Sequence, residues 1–239
     1  MNTMNAMNQI TSENLNLKSE SELRSGFATL IGLPNSGKSS LLNALVKTQL
    51  AIVTPKAQTT WKTLKGYVVR PGLELVVVDT PGIQDGTKAL NQALTSNAEA
   101  ALRTAREGRE VVLLVADARE IYESLKKQKP LEIMVLAKDS LKKFFKNPEL
   151  KLIPVLNKSD QLTSLSERLL VEKTFKQFLD DNFPGSQPIQ WLSAKTGNKE
   201  SKETVEKLLE SIRLLLPLAQ SGELFDVDNL SDQKTRDFV

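Results

Sequence analysis

Short runs of consecutive apolar residues, many of them β-branched, recur along the chain and alternate with segments of helical periodicity. Runs that are apolar on successive positions indicate strands covered on both faces, as in a parallel sheet with helices on each side. We therefore predict an α/β fold, a three-layer sandwich of the P-loop NTPase type. The predicted strands are 27–31, 73–78, 111–115, 152–156 and 188–192, and the predicted helices are 37–47, 90–106, 131–145, 164–178 and 202–215.

Two prolines change the predicted arrangement of strands. Pro71-Gly72 separates the strand-like segment 63–70 from the run at 73–79, a pattern that predicts a β-hairpin. The hairpin adds one antiparallel strand, which we place at the edge of the mostly parallel sheet. Pro154 lies inside a predicted central strand, and because proline lacks a backbone N–H, we expect a local irregularity there.

Composition excludes several kinds of chemistry. The 239 residues include no Cys and no His, so there is no disulfide, no thiol nucleophile and no imidazole base. The longest apolar runs are far below the roughly 20 residues that span a bilayer. We predict a disordered, Asn-rich arm over residues 1–24 of a cytoplasmic protein, a folded domain over 25–217, and an acidic tail over 218–239.

The segment GLPNSGKSS follows a predicted strand and opens a predicted helix. Gly32, Gly37, Lys38 and Ser39 satisfy the pattern G-x-x-x-x-G-K-[ST] in the setting that this motif requires. Such a loop points its backbone N–H groups at phosphate oxygens, while the lysine neutralises the β and γ phosphates and the serine hydroxyl holds Mg²⁺. The predicted nucleotide-binding residues here are Gly32, Pro34, Asn35, Ser36, Gly37, Lys38, Ser39 and Ser40.

A second motif, NKSD at residues 157–160, predicts which base is bound. The Asp160 carboxylate can accept from two N–H donors on one edge of guanine, for which adenine has no matching pair. The Asn157 amide can support the base from the other side, and the Lys158 stem can lie along its ring. Because a mismatched base leaves buried polar groups unpaired, we expect GTP to bind far better than ATP.

Two further motifs follow strands. DTPG begins with Asp79, whose carboxylate can hold a Mg²⁺ water while the Gly82 N–H meets the γ phosphate. The SAK segment, Ser193, Ala194 and Lys195, offers the Ala194 N–H to the guanine carbonyl. Either motif alone is equally typical of an ordinary turn. Four motifs in this order, each at a strand end, indicate a guanine-nucleotide site.

These motifs, together with KAQTT at residues 56–60, resemble those of the Era-like GTPases, which are related to translation factors. The resemblance covers roughly residues 26–216. It implies that Thr60, or Thr59 if the register shifts by one, reaches Mg²⁺ in the GTP state. The implied catalytic residues are Lys38, Thr60 and Gly82, and the implied Mg²⁺ ligands are Ser39, Thr60 and Asp79.

The resemblance also bears on the cation and the catalytic water. Asn35 matches a family position associated with K⁺ beside the phosphates, although a turn residue bonding its own loop explains it equally well. Ile83 stands where Ras-like proteins carry a catalytic glutamine, which implies slow turnover. Trp61 replaces an arginine that is usual in the family.

Expected partners follow from the same resemblance. They are GTP and GDP, and indirectly the small ribosomal subunit or its RNA. Relatives bind RNA through a KH domain, but no GXXG loop follows the GTPase region, so we expect no KH-mediated RNA binding. The lysine-rich stretch 126–151 is explained by a solvated helix face or by an RNA contact.

Three functional hypotheses remain at this stage. The first is a GTP-hydrolysing molecular switch that acts in small-subunit assembly. The second is a GTP-binding interaction module with little hydrolysis, and the third is an ATPase or nucleotide kinase. Base selectivity and single-turnover hydrolysis distinguish the three.

Overall fold

A computed structural model describes residues 23–47, 53–55, 64–79, 108–141, 151–195 and 199–219. Within these ranges none of the helices is long and apolar enough to cross a membrane. The strands are β1 (Arg24–Ile31), β2 (Val53–Pro55), β3 (Leu64–Arg70), β4 (Leu73–Asp79), β5 (Glu110–Asp117), β6 (Lys151–Asn157) and β7 (Gln190–Trp191). The helices are α1 (Lys38–Lys47), α2 (Ala118–Lys126), α3 (Glu132–Leu141), α4 (Leu165–Asn182) and α5 (Lys199–Leu215), with a 3₁₀ turn at Ser159–Gln161.

The described strands form one sheet in the order β2-β3-β4-β1-β5-β6-β7. β1 lies at its centre and runs parallel to β4 and β5. β3 is antiparallel to both of its neighbours, which confirms the predicted hairpin and the single reversed strand. Its predicted place at the edge was wrong, because β2 pairs with the outer side of β3.

The irregularity expected at Pro154 is absent from the ladder between β5 and β6, whose register runs through this residue without a break. The carbonyls of Leu152 and Leu156 accept from the N–H groups of Gln187 and Leu192, on the β7 side. Since backbone groups alternate along a strand, residue 154 faces that side as well. The backbone N–H that proline lacks would therefore point toward β7, which pairs with β6 at only two positions, so little pairing is lost.

Two hydrophobic cores lie on opposite faces of the sheet, as expected for three layers. Alternate residues of β5 belong to different cores: Val111, Leu113 and Val115 face α1 and α5, whereas Val112 and Leu114 face α2, α3 and α4. This division explains why the strand is apolar on consecutive positions. The central strands are thus covered on both sides by apolar side chains and helices.

Among the described residues, the helices differ from the sequence expectations chiefly in α4 and α2. α4 extends to Asn182, and its start is fixed by a capping box between Ser164 and Glu167. α2 was not predicted, although Ala118, Ile121, Tyr122 and Leu125 are spaced as one face of a helix and pack on the core. The predicted helix 90–106, the N-terminal arm and most of the acidic tail lie outside the described residues.

The chain beyond α5 returns to the sheet. Leu218 forms an antiparallel bridge with Arg24, the first residue of β1. The Ser25 N–H donates to the Pro217 carbonyl, and the Ala219 N–H donates to the Leu23 carbonyl. Segment 216–219 is therefore hydrogen-bonded to the start of β1.

Candidate nucleotide-binding site

The described parts of the predicted motifs meet where the parallel strands end. The carboxyl ends of parallel strands share an edge, and there β1, β4 and β6 lead into the phosphate loop, Asp79 and Asn157. An open cleft of about 390 Å³ lies at this edge. Its lining residues are Gly37, Ser40, Asn43, Lys47, Asn157, Lys158, Asp160, Gln161, Ser193, Ala194 and Lys195.

The phosphate loop needs its glycines for two different reasons. A Cβ on Gly32 would lie 2.2 Å from the Val115 carbonyl oxygen, so only glycine allows β1 and β5 to approach this closely. Gly37 has φ +92, and an added Cβ would lie 2.2 Å from Nδ2 of Asn157. Gly37 is therefore required both for its positive φ and for its close contact, whereas Gly32 is required for its close contact alone.

Gly37→Ala is expected to lower the unfolding temperature and to weaken GTP binding by about tenfold or more, because the new methyl displaces the Asn157 amide. Gly185→Ala is a matched control. Gly185 has φ +95, but an added Cβ would meet no described atom within 4 Å. Thermal unfolding and titration calorimetry compare the two variants, and equal effects would show that only the positive φ matters.

The Lys38 side chain folds back and is hydrogen-bonded to the start of the phosphate loop. Its Nζ donates to the carbonyl oxygens of Gly32 at 2.9 Å and Leu33 at 2.8 Å, and the residue is 5% exposed. Burial lowers the pKa of Lys38, and the nearby Asp79 carboxylate partly opposes that shift. The two hydrogen bonds are to neutral groups, so the ammonium charge is available to an anion that enters the loop.

Asp79 and Ser39 fit a hard divalent cation. The Ser39 hydroxyl donates to Asp79 Oδ2 at 2.6 Å, while Oδ1 is buried and has no hydrogen-bond partner among the described residues. Burial raises the pKa of Asp79, and the Ser39 hydrogen bond and the Lys38 charge act against that rise. A carboxylate oxygen without a partner beside a hydroxyl is the donor chemistry that Mg²⁺ prefers.

Asn157 connects two of the predicted loops. Its Nδ2 donates to the Ser36 carbonyl at 2.8 Å, and its Oδ1 accepts from the Ala194 N–H at 3.0 Å. The side chain is buried, and both ends of its amide are used. Contact between Asn157 and the base stays a prediction, whereas its link between the phosphate loop and the SAK segment is observed.

Asp160 and Lys158 line the same cleft as Gly37 of the phosphate loop. Asp160 is exposed and follows Lys158, whose backbone is left-handed with φ 60. The Lys158 Nζ lies 2.6 Å from Oδ2 of Asp117. Ser193 accepts from the Lys195 N–H through its hydroxyl at 3.4 Å, which shapes the SAK turn.

Sequence reasoning missed four residues of this region. Asn43 and Lys47, on the exposed face of α1, and Gln161 also line the cleft. Asp117, the fourth, contacts Lys158 directly. There was some indication of Asp117 in the sequence, because it ends an apolar strand as Asp79 does. It belongs to none of the recognised motifs, however, and was therefore passed over.

The remaining predicted residues divide into two groups. Thr60, with its alternative Thr59, and Gly82 lie outside the described residues, as does Ile83. Asn35 is described: it is exposed, with a left-handed φ of 63 that asparagine tolerates. Within the described structure its side chain makes no hydrogen bond to its own loop, so that alternative is not seen and K⁺ binding stays a prediction.

Fold and site together place the chain among the P-loop GTPases. The sequence model of the family described as "50S ribosome-binding GTPase" matches residues 27–158, which is more than half of the chain. The chain belongs to this family. Within it, the chain is an Era-like GTPase.

Individual relatives and solved structures are similar to the chain over most of its length. GTPase Era of Trichlorobacter lovleyi is 31% identical over 214 residues, which cover 90% of this chain and 62% of that protein. A solved structure of Era with MgGDPNP and nucleotides of 16S ribosomal RNA is 25% identical, with a TM-score of 0.59, and covers 85% of this chain and 61% of that one. Aquifex aeolicus Era bound to GDP and AlF4⁻ has a TM-score of 0.57 at 23% identity over the same shares of the two chains. The chain thus spans less than two thirds of the length of these relatives.

Proposed function

We propose that the chain is a molecular switch that binds GTP with Mg²⁺ and hydrolyses it to GDP and phosphate. One observation carries the proposal: a single cleft is lined by the phosphate loop, by NKSD and by SAK. The first of these suits a polyphosphate and the other two suit guanine. One nucleotide bound in this cleft can therefore contact all three motifs at once.

In this proposal each residue has a defined task. Lys38 and the loop amides bind the phosphates, and Asp160 accepts from the guanine edge. Ser39 and Asp79 hold Mg²⁺, which when bound neutralises negative charge on the β and γ phosphates. Thr60 and Gly82 complete the switch, because contacts to the γ phosphate would order their loops in the GTP state and release them in the GDP state.

Hydrolysis is expected to be slow without an activator. Asp160 is the one carboxylate among the described residues that line the cleft, and in this proposal it binds the guanine edge, so no described side chain of the cleft is left to take a proton from the attacking water. A rate on the order of 10⁻⁴ to 10⁻² s⁻¹ is usual for GTPases that lack full transition-state stabilisation. The same observation favours a second candidate, a GTP-binding interaction module that scarcely hydrolyses.

The proposed cellular role is in assembly of the small ribosomal subunit, in the cytoplasm. Its support is the Era structure solved with 16S ribosomal RNA. The family description names the 50S particle instead. Co-sedimentation with purified small and large subunits, in GTP and in GDP, tests the choice, and binding only to large subunits would contradict the small-subunit role.

Single-turnover hydrolysis in K⁺ and in Na⁺ tests the catalytic part of the proposal. We expect GTP consumption in K⁺ and a slower rate in Na⁺, because a cation held at Asn35 would add positive charge beside the phosphates. Equal rates would remove the K⁺ role of Asn35. Binding without hydrolysis in either salt would favour the interaction module, and competition by ATP would contradict guanine specificity.

A further inference from the structure

Asp117 uses its two carboxylate oxygens for two different purposes. It is the last residue of β5, and Oδ1 accepts from the N–H groups of Arg119 at 2.9 Å and Glu120 at 3.2 Å. These bonds cap the N-terminus of α2. Oδ2 accepts from Lys158 Nζ at 2.6 Å. One side chain therefore joins a helix start to the cleft wall.

Lys158 needs such an anchor. It is a non-glycine residue with φ 60 and ψ 35, a left-handed conformation that requires support from its surroundings. Its side chain is 29% exposed, against 11% for Asp117. Without the carboxylate, the long side chain would regain rotamer freedom, and ordering it against a ligand would cost free energy at each binding event.

The backbone of the same loop is held by other contacts. The Ser159 N–H donates to the Leu192 carbonyl at 3.1 Å, and the Ser159 carbonyl accepts from Arg168 Nη2 at 3.2 Å. Arg119 Nη1 lies 3.5 Å from the Gln161 carbonyl. Because these bonds reach only the main chain, they fix the loop without orienting the Lys158 side chain.

We infer that Asp117 is a positioning residue for nucleotide binding, and that it acts by holding the Lys158 side chain in place at the cleft wall. The inference rests on the proposed function, in which the Lys158 stem lies along the guanine ring. The base is common to GTP and GDP, so Asp117 affects the affinity for both equally. Asp117 does not touch the phosphates in this arrangement, and the hydrolytic step is independent of it.

Asp117→Asn separates the two purposes of the carboxylate. Asparagine also caps helices well, so α2 is retained, but the negative charge that holds Lys158 is lost. We expect the Kd values for GTP and GDP to rise together by about tenfold, as for loss of one charge-assisted bond. The single-turnover rate at saturating GTP should stay unchanged, and the unfolding temperature should fall only slightly, because the cap of α2 is retained. In Asp117→Ala, by contrast, the unfolding temperature should fall, because the cap is lost as well.

A double-mutant cycle with Lys158→Met gives the decisive readout. In the Lys158→Met background, Asp117→Asn should leave the Kd for GDP unchanged, because nothing remains for the carboxylate to hold. A tenfold loss in both backgrounds, or none in either, would overturn the inference. A wild-type chain that binds no GDP would instead overturn the proposed function itself.

Discussion

Lys38→Ala should raise the Kd for GTP by roughly 100-fold or more, since charge-assisted hydrogen bonds contribute about 1.5–3 kcal/mol each and the lysine would make more than one to the phosphates. The structure already places Nζ across the loop, within 2.9 Å of the Gly32 carbonyl oxygen. Little reorganisation is then required when an anion enters. Titration calorimetry with GTP and Mg²⁺ measures the loss.

The fold should tolerate this change better than the site does. Burial lowers the pKa of Lys38, which means that the folded chain bears a cost for keeping the charge inside. Lys176→Ala is a suitable control, because Lys176 is exposed on α4 and pairs only with Asp180 among the described residues. Unchanged GTP affinity in a folded Lys38→Ala variant would rule out the phosphate-loop assignment.

Asp160→Asn should reverse base preference, from GTP toward xanthosine triphosphate. The carboxylate accepts two N–H donors of guanine, whereas an amide presents one donor and one acceptor, which suits the carbonyl that xanthine carries in place of the amine. We expect GTP affinity to fall by about 100-fold or more, because a site built for hydrogen bonds discriminates strongly against an unpaired group. Competition between the two triphosphates for a fluorescent analogue gives the ratio.

A matched control distinguishes base recognition from a general charge effect. Asp181 is an exposed aspartate near the end of α4, where its carboxylate accepts from Gln177, so Asp181→Asn removes the same charge far from the cleft. This variant should keep the wild-type preference for GTP. If Asp160→Asn also kept it, the assignment of NKSD to the base would be wrong.

Much of the fold could be predicted, because strands buried on both faces are apolar on every position, as β5 shows. Elements with little buried surface escaped prediction. β2 is only three residues long, and α2 fully buries only Ala118 and Ile121. The apolar residues of α2 nevertheless recur at helical spacing, so its sequence carried a helical signal that was missed. The position of β3 could not be predicted either, since it depends on β2 pairing across from it.

The site shows a similar division. Residue spacing predicted Gly37, Lys38 and Asp160, because their chemistry depends on local sequence. Spacing could not predict that the Asn157 amide bonds Ser36 and Ala194, which lie 121 and 37 positions away in the chain. Such pairings depend on the register of strands, and sequence patterns carry no direct information on register across distant elements.

The central position of β1 has a mechanical consequence. Its final residue leads into the phosphate loop, and its first residues are bonded to segment 216–219 at the opposite edge of the sheet. Tension on the chain past Ala219 would therefore act along the axis of β1, in line with Gly32. The hydrogen-bonded ladders to β4 and β5 on its two sides would resist that pull in shear, so little of the strain would reach the phosphate loop.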